Sequence, residues 1–176
     1  MVYWGLGIKK MISIVIPCYN EEASLRLLYG ELKTILNELE TKHEIIFVDD
    51  GSTDNTSILI QKLRKYDNTI KLVRYKTNQG KSYALQKGFN TAKGKFIITL
   101  DADLQNNPIN IFNLIKKFNE GYDFVCGYRK ERKDTLNKKL LSRLLCWKNI
   151  FYAYGMSSLI VARILDTWRI IDHDVM

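Results

Sequence analysis

Five short apolar runs constrain this chain more than any other feature, because amphipathic segments separate them. Ile12–Ile16, Glu44–Val48, Ile70–Tyr75, Lys95–Leu100 and Tyr122–Cys126 are rich in β-branched and aromatic residues and read as strands. After the first, Leu25, Leu28, Leu32, Ile35, Leu36 and Leu39 recur at helical spacing, with Asn20 as N-cap and Glu21 and Glu22 favouring the positive helix end. Thr53 or Asp54 is expected to cap a second helix with Ile58, Leu59 and Leu63 on its core face. Lys81–Ala92 and Pro108–Asn119 supply two more helices, the latter with proline in its first turn. Strictly alternating strands and helices predict an α/β fold, a mostly parallel sheet with helices on both faces. With 176 residues there is enough chain for one core but not for two full domains.

In such sheets ligands bind beyond the carboxyl ends of the strands, and the polar clusters fall there. They are Pro17–Glu21, Asp49–Asp54, Asn78–Lys81, Asp101–Gln105 and Gly127–Arg129. Asp101 and Asp103 stand two residues apart at the end of the fourth strand, where alternation would put both on one side. Like charges held that close need a proton or a cation between them. With Gln105 they form a hard oxygen set suited to Mg²⁺ or Mn²⁺ shared with substrate phosphates; the alternative is a solvated turn before Pro108. An EF-hand is a poor fit, because Gln105 and Asn106 stand where Asp or Asn and then Gly are needed. Asp49 and Asp50 can accept hydrogen bonds from a ribose or a base edge, and a helix-capping turn would explain Gly51–Asp54 while leaving Asp49 without a role. Gly80-Lys81-Ser82 is not a phosphate-binding P-loop, since Tyr75 replaces the required glycine; Lys81 can still meet a diphosphate as a point charge.

The formal net charge is +8, which calls for an anionic partner. Much of it lies between Gly127 and Lys148, with eight basic residues and two acidic ones. Nucleic acid is not expected there: it would leave the acidic clusters idle and repelled, and no nucleic-acid motif is present. Beyond Asp134, Leu136, Leu140, Leu141, Leu144 and Leu145 interleave with basic residues and predict an amphipathic helix, packed on the domain or facing a membrane or phosphate. Ile150–Ala162 carries no charge and is too short to span a bilayer; a core segment, an interfacial segment and the stump of something larger all fit. Cys18, Cys126 and Cys146 form no CxxC and read as buried thiols in a reducing compartment. Residues 1–10 lack the apolar core of a signal peptide and read as an N-terminal extension before Met11.

Nucleotide pocket, carboxylate pair and basic strip together fit transfer chemistry on a nucleoside diphosphate, where cations neutralise the departing phosphates. A hydrolase is less natural, because Asp101 and Asp103 lie too close to flank a sugar. The motifs Pro17-Cys18-Tyr19-Asn20-Glu21-Glu22, Val48 to Asp54, Asn78 to Ser82, Asp101 to Gln105 and Gly127-Tyr128-Arg129 occur in the order found in family-two, GT-A-fold inverting glycosyltransferases. The chain most resembles their polyprenyl-phosphate branch, the dolichyl-phosphate mannose synthases and the undecaprenyl-phosphate transferases. The match covers about residues 11 to 145.

That resemblance implies a GT-A Rossmann-like fold and a role for each matched residue. Pro17, Tyr19 and Glu21 would line the nucleotide pocket, Asp49 would hold base or ribose, and Lys81 would lie near the nucleotide. Asp101 and Ala102 would face the ribose or sugar, and Asp103 and Gln105 would ligate a divalent metal, Mg²⁺ or Mn²⁺. Arg129 would meet phosphate, with Lys138 and Ser142 on the acceptor phosphate. The implied donor is a UDP- or GDP-linked sugar and the implied acceptor a polyprenyl phosphate, already anionic and in no need of a dedicated base. Residues 11–133 would form the catalytic domain, and 134–176 an acceptor- and membrane-facing tail at the cytoplasmic face of a membrane. Tyr154–Met176 matches neither the acceptor segment nor the membrane helices that follow in the family. The competing expectations are a truncated module that binds nucleotide and metal without transfer, and a transferase acting on a sugar hydroxyl in cell-surface polysaccharide synthesis.

Overall fold

A computed structural model describes residues 11–120, 124–126 and 160–163. Strands β1 (Ile12–Cys18), β2 (His43–Asp50), β3 (Ile70–Tyr75) and β4 (Phe96–Thr99) alternate with helices α1 (Glu22–Glu38), α2 (Thr56–Tyr66), α3 (Lys81–Thr91) and α4 (Asn110–Asn119), before β5 (Phe124–Cys126) and β6 (Ile160–Arg163). The sheet order is β3-β2-β1-β4-β6-β5. β1 pairs parallel with β2 and β4, and β2 parallel with β3. β6 pairs antiparallel with both β4 and β5. The mostly parallel sheet read from the alternation is therefore present.

Two cores sandwich the sheet, as parallel strands buried on both faces require. Ile12, Ile14, Ile16, Ile45, Phe47 and Ile98 point to the side covered by α1, α2 and α4. Val15, Ile46, Val48 and Ile97 point to the side covered by α3. Strand order steps one way from β1 to β3 and the other way to β4, so β1 and β4 flank a topological switch point. In open α/β sheets the crevice at that point takes the ligand.

Several local expectations are corrected. Helix α1 begins at Glu22, and Asn20 is not its cap but sits at φ 57°, a conformation asparagine tolerates. Ile58 is 49% exposed while Leu59 and Ile60 are buried. Thr56, Leu59, Ile60 and Leu63 follow the helical period, so Ile58 falls outside the stripe. Of the options for Ile150–Ala162, its end joins the sheet as part of β6, so the sheet draws a strand from the 134–176 segment. β6 in turn separates β5 from β4.

The amino ends of the strands carry a buried polar network. Ser13 Oγ donates to Glu44 Oε1 at 2.6 Å, the Lys93 amide donates to the same oxygen at 2.5 Å, and Lys71 pairs with the carboxylate. Burial pushes the Glu44 carboxyl up, but these partners outweigh it and hold it below its ordinary value. Gly94 is required here, since a Cβ would stand 2.6 Å from the Ser13 amide nitrogen. Nearby, Asp67 accepts from Tyr29 at 2.8 Å and Lys33 at 2.7 Å and ties α1 to the β3 entrance. Burial raises the Tyr29 hydroxyl, and its bond to Asp67 adds to the rise, to about 12. The Asp67 carboxyl is raised by burial and lowered further by Lys33, Thr69 and Tyr29, ending well below the ordinary range.

Two stability measurements check this packing. Gly94→Ala meets unyielding backbone and is expected to cost about 1–3 kcal/mol. Gly30→Ala, in α1 with nothing within 4 Å of the new Cβ, is expected to gain about 0.5–1 kcal/mol; urea unfolding reads both. Because the folded Asp67 carboxyl is depressed, its contribution is complete above the unfolded value near pH 4 and is lost as pH falls through and below it. Asp67→Asn is expected to flatten the acid limb of the stability–pH curve.

Candidate functional site

The crevice is built from the loops that leave β1, β2 and β4, with the start of α3. The β1–α1 loop is stitched to the β2–α2 loop. The Asn20 amide donates to Ser52 Oγ at 3.0 Å, the Glu21 amide to Thr56 Oγ1 at 2.8 Å and the Glu22 amide to Asp54 Oδ2 at 3.1 Å. In return the Thr53 amide donates to Asn20 Oδ1 at 2.8 Å and Asn55 Nδ2 to Glu22 Oε1 at 2.9 Å. Asn20, Ser52 and Asp54, read from sequence as cap or turn residues, therefore fix one loop against another. Gly51, at φ 77°, cannot be replaced without its Cβ meeting Thr77 C at 2.6 Å.

Asp49 and Asp50 lie within β2, which runs two residues past the strand end expected at Val48, and so face opposite sides of the sheet. Asp50 accepts the Gln79 amide at 2.9 Å and the Gly80 amide at 2.8 Å, which pins the loop that launches α3. Asp49 is fully buried, and its Oδ1 accepts the Ser52 amide at 2.9 Å. Its Oδ2 lies 3.3 Å from Arg74 Nε yet lies outside hydrogen-bonding geometry and has no hydrogen-bond partner. The half-exposed Arg74 guanidinium offsets its charge, and a hydrogen bond to this oxygen is one a bound ligand could supply. Arg74 escaped the sequence reading, although strand register sets it opposite Asp49.

The Asp101–Gln105 segment is a turn, because β4 stops at Thr99; strand alternation does not align the two carboxylates. Leu104 sits at φ 60°, unusual for a non-glycine residue, and its side chain packs on the core. Asp103 is exposed and its Oδ1 accepts the Gln105 amide at 3.0 Å. Asp101 is mostly buried and its Oδ1 lies 2.7 Å from Lys81 Nζ. Ala102 is buried under the turn. Pro17 is half-buried, Tyr19 is 47% exposed, and Glu21 accepts from Ser24 Oγ at 2.7 Å.

This end of the sheet is electronegative. The Cys18 thiol beneath it is pushed up first by burial and then by Glu21, Asp49, Asp101 and Asp54. Asp103 offers one carboxylate oxygen beyond its amide bond, and Gln105 an amide oxygen, both hard donors fit for Mg²⁺ or Mn²⁺. Among the described residues no three His, Cys, Asp or Glu side chains gather to hold a metal unaided. Such a partial set suits a cation that takes its remaining ligands from substrate phosphates and water. Arg129, Lys138, Ser142 and the amphipathic helix predicted beyond Asp134 lie outside the described residues. Among the described residues no helix is long and apolar enough to cross a membrane.

With this geometry in hand, comparison places the chain among known proteins. The family described as glycosyl transferase family 2 matches residues 13–165. The match therefore runs past Tyr154, further than the motifs alone reached. An undecaprenyl-phosphate 4-deoxy-4-formamido-L-arabinose transferase of Photorhabdus laumondii subsp. laumondii is 43% identical over 137 residues, 77% of this chain and 42% of that protein. Its namesake in Proteus mirabilis is 40% identical over 135 residues, 76% of this chain and 41% of that protein. The chain thus spans about two-fifths of the length of these curated relatives. A glucosyl-3-phosphoglycerate synthase from Mycobacterium tuberculosis, solved with Mn²⁺, UDP and glucosyl-3-phosphoglycerate, superposes with TM-score 0.63 at 25% identity, over 88% of this chain and 57% of that one. A mannosyltransferase from Pyrobaculum calidifontis, solved with GDP-Man and Mn²⁺, gives TM-score 0.54 at 21% identity, over 70% of this chain and 37% of that one. The likeness to these structures shows the GT-A fold, and the family match over most of the chain shows that it belongs to glycosyl transferase family 2.

Proposed function

We propose that the chain is the donor-binding part of an inverting glycosyltransferase that moves a sugar from a UDP- or GDP-linked donor to a polyprenyl phosphate at the cytoplasmic face of a membrane. The observation that carries this reading is buried Asp49 at the switch-point crevice, whose Oδ2 faces half-exposed Arg74 without a hydrogen bond. It supports an N–H donor from a base edge, or a ribose hydroxyl, as the missing partner. The names of the curated relatives support undecaprenyl phosphate as the acceptor.

The family resemblance supports the following roles. Asp49 would orient the nucleoside, with Pro17, Tyr19 and Glu21 along the pocket. Asp101 and Ala102 would face the ribose or sugar, with Lys81 beside the diphosphate. Asp103 and Gln105 would hold a divalent cation, which supplies neutralisation of the charge that develops on the leaving diphosphate. Arg129, Lys138 and Ser142 would hold the acceptor phosphate for in-line attack on the anomeric carbon. A lipid phosphate is an anionic nucleophile, so no side chain has to take a proton from it. In this division residues 11–133 serve the donor and 134–176, apart from β6, serve acceptor and membrane, with 1–10 as an extension.

A second reading is a module that binds nucleotide and metal without transfer. A transfer assay separates the two. UDP- or GDP-sugar, Mn²⁺ and undecaprenyl phosphate in detergent are incubated with the purified chain, and lipid-linked sugar is measured. The proposal expects product, a fall of about 100-fold in Asp103→Asn, and in Asp49→Ala a fall of about 10-fold or more in donor affinity. Nucleotide binding with no product would establish the second reading.

A further inference from the structure

We propose that Lys81 is the counter-ion of the donor-free crevice: it engages Asp101 so that a divalent cation binds the Asp103–Gln105 turn weakly until a nucleoside diphosphate draws the ammonium away. This rests on reading the crevice as a nucleotide-sugar site. Lys81 opens α3, and its backbone root is fixed because Asp50 holds the amides of Gln79 and Gly80 just before it. Its head is free to move: Lys81 is 52% exposed, against 19% for Asp101. A pair whose cation is this open to water is weak. It neutralises Asp101, yet an incoming polyanion can take it apart. A deeply buried pair would lock the site instead.

The electrostatic consequence concerns the neighbouring turn. Asp101 stands two residues before Asp103. While the ammonium sits on Asp101, a cation approaching Asp103 and Gln105 meets less negative charge and one added positive charge. Once diphosphate oxygens compete for the ammonium, Asp101 recovers its charge and the diphosphate adds its own. Metal and nucleotide therefore favour each other, and by linkage the coupling is the same in both directions. Lys81 is a positioning residue that sets the size of this coupling.

The test is a titration of Mn²⁺ alone into the full chain, with free Mn²⁺ read by electron paramagnetic resonance. Lys81→Met is expected to bind Mn²⁺ about three- to tenfold more tightly than the wild type, and Lys81→Arg to match the wild type. In an Asp101→Asn background, Lys81→Met should make no further difference. A merely structural lysine would not raise metal affinity when removed. Equal Mn²⁺ affinity in wild type and Lys81→Met, or a gain that persists with Asp101→Asn, overturns the inference. No nucleotide enters this titration, so that failure leaves the donor-site reading standing. The donor-site reading falls on a different result, a wild-type chain that binds neither UDP nor GDP.

Discussion

The site depends on two adjacent aspartates at the end of one buried strand. Strand alternation turns Asp49 and Asp50 to opposite faces of the sheet, and the two faces give them different tasks. Asp50 spends both oxygens on backbone amides and fixes the loop ahead of α3. Asp49 spends one oxygen on Ser52 and keeps the other without a hydrogen bond. Moving the strand by one residue would exchange these faces, so the register of β2 against β1 and β3 determines which carboxylate is spent on the α3 loop and which keeps an oxygen without a hydrogen bond. That register is held by wholly buried residues such as Ile45 and Phe47, and the Glu44 network secures the other end of the strand.

From this anchor the crevice gains its electrostatic character. Carboxylates from three loops converge at the switch point, and among the described residues Lys81 and Arg74 are the cations that answer Asp101 and Asp49. Arg74 and Lys81 are about half-exposed while their partners are buried or mostly so. Fixed anions with releasable cations suit a site that exchanges its own basic side chains for a metal and a diphosphate. The loops themselves are held by backbone amides on side-chain oxygens, so this exchange need not loosen the frame.

Much of this was legible in the sequence. The runs at Ile12, Glu44 and Phe96 became strands buried on both faces, which long apolar stretches suit, while the run at Ile70 became the half-buried edge strand β3. The polar clusters after them became the crevice because a doubly wound sheet presents its strand ends together. Other features depend on tertiary geometry that no local pattern encodes. Ile58 is apolar but exposed because the roll of α2 is set by Leu59 and Ile60. Asp101 and Asp103 are placed by a turn with Leu104 in a left-handed conformation, not by strand alternation, and the turn leaves the first mostly buried on Lys81 and the second exposed. β6 is only four residues long and lies in an uncharged stretch that also fits a core or interfacial segment, so its pairing with β4 and β5 reveals it. Arg74 met Asp49 through cross-strand register, a long-range fact.

The central claim is that the carboxyl-end crevice of this sheet is a metal-assisted site for a nucleoside diphosphate. Calorimetric titration of UDP and of GDP into the wild-type chain, each with and without Mn²⁺, addresses it most directly. The account predicts that one of the two binds and that Mn²⁺ strengthens its binding. Absence of binding by both nucleotides, with and without Mn²⁺, to a chain that unfolds cooperatively would contradict it.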